Sequence, residues 1–315
     1  MSNVRSISAK AVGFSEYGGV EVLRPVEVEV PAPGPGQVRI AVRAAGVNPL
    51  DHKVRSGALA GLFPIAFPAV SGHEVAGVVE AVGEGVTEWR AGDEVFGGVD
   101  GGGYAEYVLA SAGRLVRRPA ALDWTRAAAL PVAAETSWRS LELLGAGAGH
   151  TLLVHAAAGG VGTVLLQFAR ARGIRVIGTA SEANHGYLRE LGAVPVAYGE
   201  GLAERVRAAA PEGVDRVLDG AGDGVLPLSV ELAGGAENVL TIADLAGATE
   251  HGVRLSGGPG TITRDRPALE EAVGLFETGG LRLPLHRVLP LAQAAEAQAE
   301  SARGHLRGKI VLTVA

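Results

Sequence analysis

The stretch VHAAAGGVGTVLLQFARARG, residues 154–173, constrains the fold of this chain more than any other. From Ala156 to Gly162 only Val161 interrupts a run of Ala and Gly. An apolar strand pattern, TLLV, leads into it. A helix pattern with Leu165, Phe168, Ala169 and Arg172 on one face leads out, and Gly173 is placed to end that helix. A flexible linker would not sit between a strand and a helix. The spacing Ala157-x-Gly159-x-x-Gly162 is a G-x-G-x-x-G fingerprint with Ala in the first place. Small residues let the backbone approach a pyrophosphate, and the N-terminus of a helix favours its negative charge. Ala158, Gly159, Gly160, Val161 and Gly162 are therefore the candidate phosphate-binding residues.

The rest of the chain supplies the context that such a loop needs. The first 120 or so residues read as short β-type runs separated by Pro and Gly, as in EVEVPAPGPGQVRIAVRAAGVN and GDEVFGG. From Trp124 the segment WTRAAALPVAAETSWRSLELL is helical in composition. Apolar strands then alternate with amphipathic helices through PALEEAVGLFETG, before an Ala-rich helix and a last strand, KIVLTV. Apolar strands alternating with helices predict a parallel sheet covered on both faces, an α/β doubly wound fold. The coenzyme follows from the tip of the second strand, RVIGTASE. An acidic residue there would bind the ribose 2′-hydroxyl of NAD. Ala180 and Ser181 stand at the tip and Glu182 lies just past it, which favours NADPH. Ser181 also stands where it would cap the next helix.

Composition excludes several classes. The chain has 315 residues, 47% hydrophobic and 20% charged, with a net charge of −6 and both signs interspersed. That is globular, and it lacks the clustered basic surface of a nucleic-acid partner. There is no cysteine, hence no disulfide, thiolate zinc site or Cys nucleophile. The first ten residues, MSNVRSISAK, lack the apolar core of a leader, and no run approaches eighteen apolar residues. The expectation is a cytoplasmic protein with no membrane partner. Lysine occurs only at Lys10, Lys53 and Lys309.

In order and spacing, GVNPLDHKVRSG (46–57), PAVSGHEVAGVVEAVG (68–83), GDEVFG (92–97), YAEY (104–107), AAALPVAAETSW (127–138), VHAAAGGVG (154–162) and GKIVL (308–312) resemble one family along nearly the whole chain. It is the zinc-independent, zeta-crystallin-like quinone oxidoreductases of the medium-chain dehydrogenase/reductase superfamily. The resemblance implies a GroES-like β-barrel domain, residues 1–125 and 287–315, around a Rossmann domain, residues 126–286. It implies an active site in the cleft between them and a homodimer or homotetramer. It further implies hydride transfer from NADPH to a quinone or an α,β-unsaturated carbonyl. Thr136 matches a family residue near the nicotinamide, Tyr198 one at the adenosine phosphate, and Ala243 and Asp244 follow the strand that reaches the carboxamide.

Two departures bear on chemistry. Zinc-using relatives carry Cys where this chain has Asn48, and no metal is expected, although His73, Glu74 and Glu135 offer imidazole and carboxylate groups. Relatives commonly place Lys or Arg after the Ser of the second strand; here Ala183, Asn184 and His185 follow. Reduction of an enone needs the reduced ring held about 3–3.5 Å from the acceptor carbon and a donor for the enolate oxygen. Asn48 is the candidate donor, with Asp51 to orient it and Lys53 and Tyr104 as further polar groups near the substrate. His155 reads as a hydrogen-bonded core histidine. Other readings of the same sequence are a trans-acting enoyl-thioester reductase, a zinc alcohol dehydrogenase, and an NADPH-binding protein without turnover.

Overall fold

A computed structural model describes residues 4–62, 64–257 and 261–314. The chain divides into two compact units. The first comprises Met1–Val132, Arg264–Gly274 and Leu283–Ala315; the second comprises Ala133–Thr263 and Leu275–Arg282. Strands β1 (Ile7–Phe14), β2 (Arg24–Val30), β3 (Gln37–Val47), β4 (Ala69–Val70), β5 (Glu74–Val82), β6 (Glu94–Gly98), β7 (Tyr107–Ser111) and β8 (Leu115–Arg117) belong to the first unit. The second holds β9 (Thr151–Val154), β10 (Arg175–Thr179), β11 (Val194–Val196), β12 (Arg216–Asp219), β13 (Val239–Thr241) and β14 (Arg254–Leu255). β15 (Leu285–Pro290) and β16 (Lys309–Thr313) return to the first.

The first unit is a GroES-like, mainly antiparallel β domain. One sheet runs β15-β16-β3-β5-β6-β8, with β7 also paired to β3, and a second runs β2-β1-β4. The alternation in QVRIAVRAAGV explains the long strand β3. Val38, Ile40 and Val42 point into a core shared with Val75, Val79, Val95, Leu115, Ile310 and Leu312. The β3–β5 ladder shifts register between Arg39 and Ile40 and between Val42 and Ala44.

The second unit is the predicted doubly wound sheet. All its strands are parallel, in the order β11-β10-β9-β12-β13-β14. The order reverses at β9, so the loops after β9 and β12 flank the switch point where such sheets bind ligands. The helix after the glycine loop runs Gly160–Ala171. It ends in a Schellman arrangement, with Gly173 at φ +70°, its N–H donating to Arg170 O, and Ile174 N–H donating to Ala169 O. Its burial exceeds a single apolar face, for every residue from Gly162 to Ala169 is buried. Gln167 is tolerated there because its amide donates to Thr163 O and Arg282 O and accepts from Arg282 N–H.

Three helices were not placed by sequence pattern: Pro49–Arg55, Leu226–Ala233 and Leu245–His251. Each spans only two turns or so, too few to establish a 3.6-residue period. The long helical segment after Asp123 is two helices, Trp124–Ala129 and Pro131–Leu144. The ring of Pro131 prevents a continuous helix but suits the first position of a new one. Among the described residues no helix is long and apolar enough to cross a membrane.

Candidate active site

In the second unit the chain turns from β9 into the helix at Gly160 through Ala156, which takes a left-handed φ of +56°. Gly159 is the N-cap, with extended backbone, so the first helical N–H groups have no side-chain partner. The two fingerprint glycines serve different needs. A Cβ on Gly162 would lie 2.6 Å from Ala157 O and 2.7 Å from Ala156 O, so glycine there lets the helix pack on its own loop. A Cβ on Gly159 would meet only Ala156 O, at 3.3 Å, a tight contact but a much milder one than at Gly162. That position suits a ligand approaching from outside, and together with the helix N-terminus it fits a pyrophosphate. Ala158 is buried while Gly160 and Val161 are partly exposed. Ser137 Oγ donates to Val161 O at 3.0 Å, tying the neighbouring helix to the loop, and Thr136 beside it is partly exposed.

At the tip of β10, Ser181 precedes a short turn, Glu182–Asn184, yet its hydroxyl makes no capping bond. It accepts instead from Asn184 Nδ2 at 3.1 Å. Glu182 points to solvent. Tyr198, beyond β11, is 52% exposed, available to a ligand and unused by the core. Asp244 caps the helix that starts at Leu245, accepting from Gly247 N–H at 2.8 Å, and Ala243 N–H donates to Thr241 Oγ1 at 3.1 Å.

Sequence reasoning missed the residues that shape this end of the sheet. Asp219, fully buried at the end of β12, accepts from the N–H groups of Ala221 and Gly222 and from Thr241 Oγ1, at 2.8, 2.9 and 2.7 Å. One carboxylate thus fixes the loops after β12 and β13. The signal was present as an acidic residue ending an apolar strand before Gly-Ala-Gly. His155, at the end of β9, is the expected core histidine. Its ring nitrogens meet Thr179 Oγ1 at 3.3 Å and Ser229 Oγ at 3.2 Å, and burial pushes it down to about 4.

In the first unit three of the four catalytic candidates, Asn48, Asp51 and Tyr104, lie in one buried network. Asn48 precedes the short helix Pro49–Arg55, and its backbone N–H donates to Asp51 Oδ2 at 2.8 Å. Asp51 therefore holds the backbone of Asn48, while the side chain is oriented by others. Asn48 Nδ2 donates to Glu74 Oε1 at 2.7 Å, and Oδ1 accepts from Lys309 Nζ. Lys309 also donates to Glu74 Oε1 at 2.7 Å and to Val47 O at 3.0 Å. Glu74 Oε2 accepts from Val132 N–H at 2.8 Å. Asp51 in turn accepts from Tyr104 at 2.9 Å and pairs with His73 Nδ1 at 2.7 Å.

Tyr104 belongs to the same network. It is fully buried with its hydroxyl held by Asp51, and burial followed by the Asp51 charge raises it well above the usual phenol range. Its hydroxyl supports the Asp51 carboxylate. Lys53 lies partly exposed on the same short helix. Glu135 pairs with Arg139 one turn away. Among the described residues no three His, Cys, Asp or Glu side chains gather as metal ligands. The sequence singled out Asn48 and Asp51 but not Lys309, which lies 261 residues from Asn48 and shares no local pattern with it.

Comparison with known proteins agrees with both halves. Residues 34–120 match the alcohol dehydrogenase GroES-like domain, and residues 191–312 match the zinc-binding dehydrogenase model. The chain is 33% identical to a quinone oxidoreductase of Pseudomonas aeruginosa, over 96% of this chain and 99% of that one. It is 44% identical to the quinone oxidoreductase of Lama guanicoe over 54% of this chain and 52% of the relative, so the match spans about half the length of that protein. The solved quinone oxidoreductase from Coxiella burnetii superposes with a TM-score of 0.85 at 30% identity, covering 98% of this chain and 100% of that one. A mycobacterial protein solved with NADPH superposes with a TM-score of 0.83 at 30% identity, covering 97% and 100%.

Proposed function

The chain belongs to the quinone oxidoreductase family of the medium-chain dehydrogenase/reductase superfamily, and from that premise we propose that it is an NADPH-dependent, metal-free reductase of quinones or α,β-unsaturated carbonyls. The observation that carries this reading is the loop at 156–162. It is bare toward the outside at Gly159, backed by a helix N-terminus, and next to a second strand whose tip bears Ser181, with the exposed Glu182 only after it. A carboxylate at that tip would repel a 2′-phosphate; a hydroxyl can donate a hydrogen bond to it. Ala158, Gly159, Gly160, Val161 and Gly162 hold the pyrophosphate, Ser181 and Tyr198 the adenosine phosphate, and Thr136, Ala243 and Asp244 the nicotinamide end.

When bound, NADPH supplies the hydride. The protein's part is to hold the acceptor and to stabilise the negative charge that develops on its oxygen. Asn48 is the donor for that charge, fixed by Glu74 and Lys309 before any substrate arrives, so little reorganisation accompanies the reaction. Asp51 fixes the start of the helix that carries Lys53, and Tyr104 and His73 hold Asp51. We place the enzyme in the cytoplasm as a homodimer or homotetramer.

A steady-state screen of quinones, enones and enoyl thioesters, each with NADPH and NADH, tests the reading. Turnover with NADPH and a quinone or enone is expected. Turnover of an alcohol that disappears on zinc removal, or clear preference for NADH, overturns it.

A further inference from the structure

Resting on the functional reading above, we infer that Lys309 is a positioning residue. Its ammonium selects one of the two orientations of the Asn48 amide and strengthens that amide as a donor to the acceptor oxygen. Lys309 opens the last strand, β16, which pairs with β3 where Ile310 lies opposite Val47. It is 6% exposed, and its three N–H bonds all have acceptors: Val47 O, Asn48 Oδ1 and Glu74 Oε1.

The amide of Asn48 is nearly symmetric in shape, so packing alone does not tell its oxygen from its nitrogen. The charges around it do. In the observed orientation the oxygen faces the ammonium and the nitrogen faces the Glu74 carboxylate. Turned over, the NH2 would face the cation and the oxygen the anion, and both contacts would be repulsive at close range in a buried site. One Nδ2 proton goes to Glu74, which leaves the other for a ligand. A cation on the carbonyl oxygen draws electron density from the amide nitrogen, and hydrogen bonds in series polarise one another. A buried ion pair is weak evidence for stability, because apolar residues of similar volume often replace one without loss. Its contacts here point to orientation as its use.

The test is a double-mutant cycle on the full chain. Lys309→Met alone strands Glu74, so Lys309→Met/Glu74→Gln, which removes both charges, is the main variant. With NADPH and one good acceptor, it is expected to lower kcat at least about tenfold, with the KM for NADPH within about twofold of wild type. In an Asn48→Ala background the same pair of substitutions is expected to change kcat by less than about twofold, since the group it orients is gone. Urea unfolding of the same four proteins should show matching non-additivity between the pair and Asn48. A tenfold loss that persists in the Asn48→Ala background, additive unfolding midpoints, or a stable pair variant with wild-type kcat each overturns the inference. If wild-type protein reduces no quinone or enone, the functional reading fails, and the unfolding cycle still decides whether Lys309 and Asn48 are coupled.

Discussion

Asn48 and His155 show how the same kind of burial serves opposite ends. Asn48 is 4% exposed, with its backbone N–H, Nδ2 and Oδ1 all engaged by protein groups, and the functional reading assigns its second Nδ2 proton to the acceptor oxygen. Removing one such preorganised donor typically costs about 2.7–4 kcal/mol of transition-state stabilisation. Asn48→Ala should therefore lower kcat roughly 10²-fold in pre-steady-state hydride transfer, with NADPH affinity little changed. Unchanged transfer in a stable variant would remove Asn48 from the mechanism. His155 is closed off entirely, and its role is read from pH. In the native state burial holds it at about 4, while the unfolded chain titrates near 6.5. Above pH 6.5 the group is neutral in both states. As pH falls from 6.5 toward 4 the unfolded chain takes up a proton that the native chain does not, so stability falls by at most roughly 3 kcal/mol. His155→Gln should lose less stability across that window than wild type in urea titrations at pH 7 and pH 4.5. Equal losses would show that His155 is not the group that charges on unfolding.

At the scale of an element, the strand–loop–helix unit separates packing from binding within four residues. Gly162→Val brings side-chain atoms against two backbone carbonyls that cannot move without shifting the helix. Overpacking of this kind costs about 1–3 kcal/mol or more, and the variant should melt well below wild type. Gly159→Ala meets one atom at 3.3 Å and keeps an ordinary φ of −70°, so its melting temperature should stay near that of wild type. On the functional reading its methyl group would stand where the pyrophosphate approaches, and NADPH affinity, read by coenzyme fluorescence, should fall by an order of magnitude or more. A Gly159→Ala protein that binds NADPH normally would show that this loop is not the cradle. Asp219 makes a parallel case one loop away. Asp219→Ala leaves two backbone N–H groups and a buried hydroxyl without their acceptor, and destabilisation of about 2–4 kcal/mol is expected in urea unfolding.

For the whole molecule, coenzyme and metal are the quantities to measure. A ligand that binds only the folded state stabilises it by about 2.7 kcal/mol at a hundred times its Kd. NADPH should therefore raise the melting temperature more than NADH at equal concentration, and the reverse order would assign the ribose to Glu182. Protein purified without chelator should carry far less than one zinc per chain by elemental analysis. Asn48 offers no thiolate, and Glu74 is committed to Lys309, Asn48 and the Val132 N–H. Stoichiometric zinc, lost together with activity in His73→Ala, would overturn that expectation.

The doubly wound unit was legible in the sequence because its signals are local. An apolar strand, a run of small residues and a helix lie within 23 residues of one another, from Thr151 to Gly173, and backbone sterics with 3.6-residue periodicity act over that distance. Asn48 and Asp51 drew attention through the resemblance of GVNPLD to a family motif, and they lie only three residues apart. What those two residues face was decided only by tertiary structure. Lys309 reaches Asn48 because β16 pairs with β3, and Tyr104 reaches Asp51 across 53 positions of the chain. Strand pairing joins residues that are far apart in the chain. No periodicity records which side chain will stand across from another, or whether it will meet a ligand or the core.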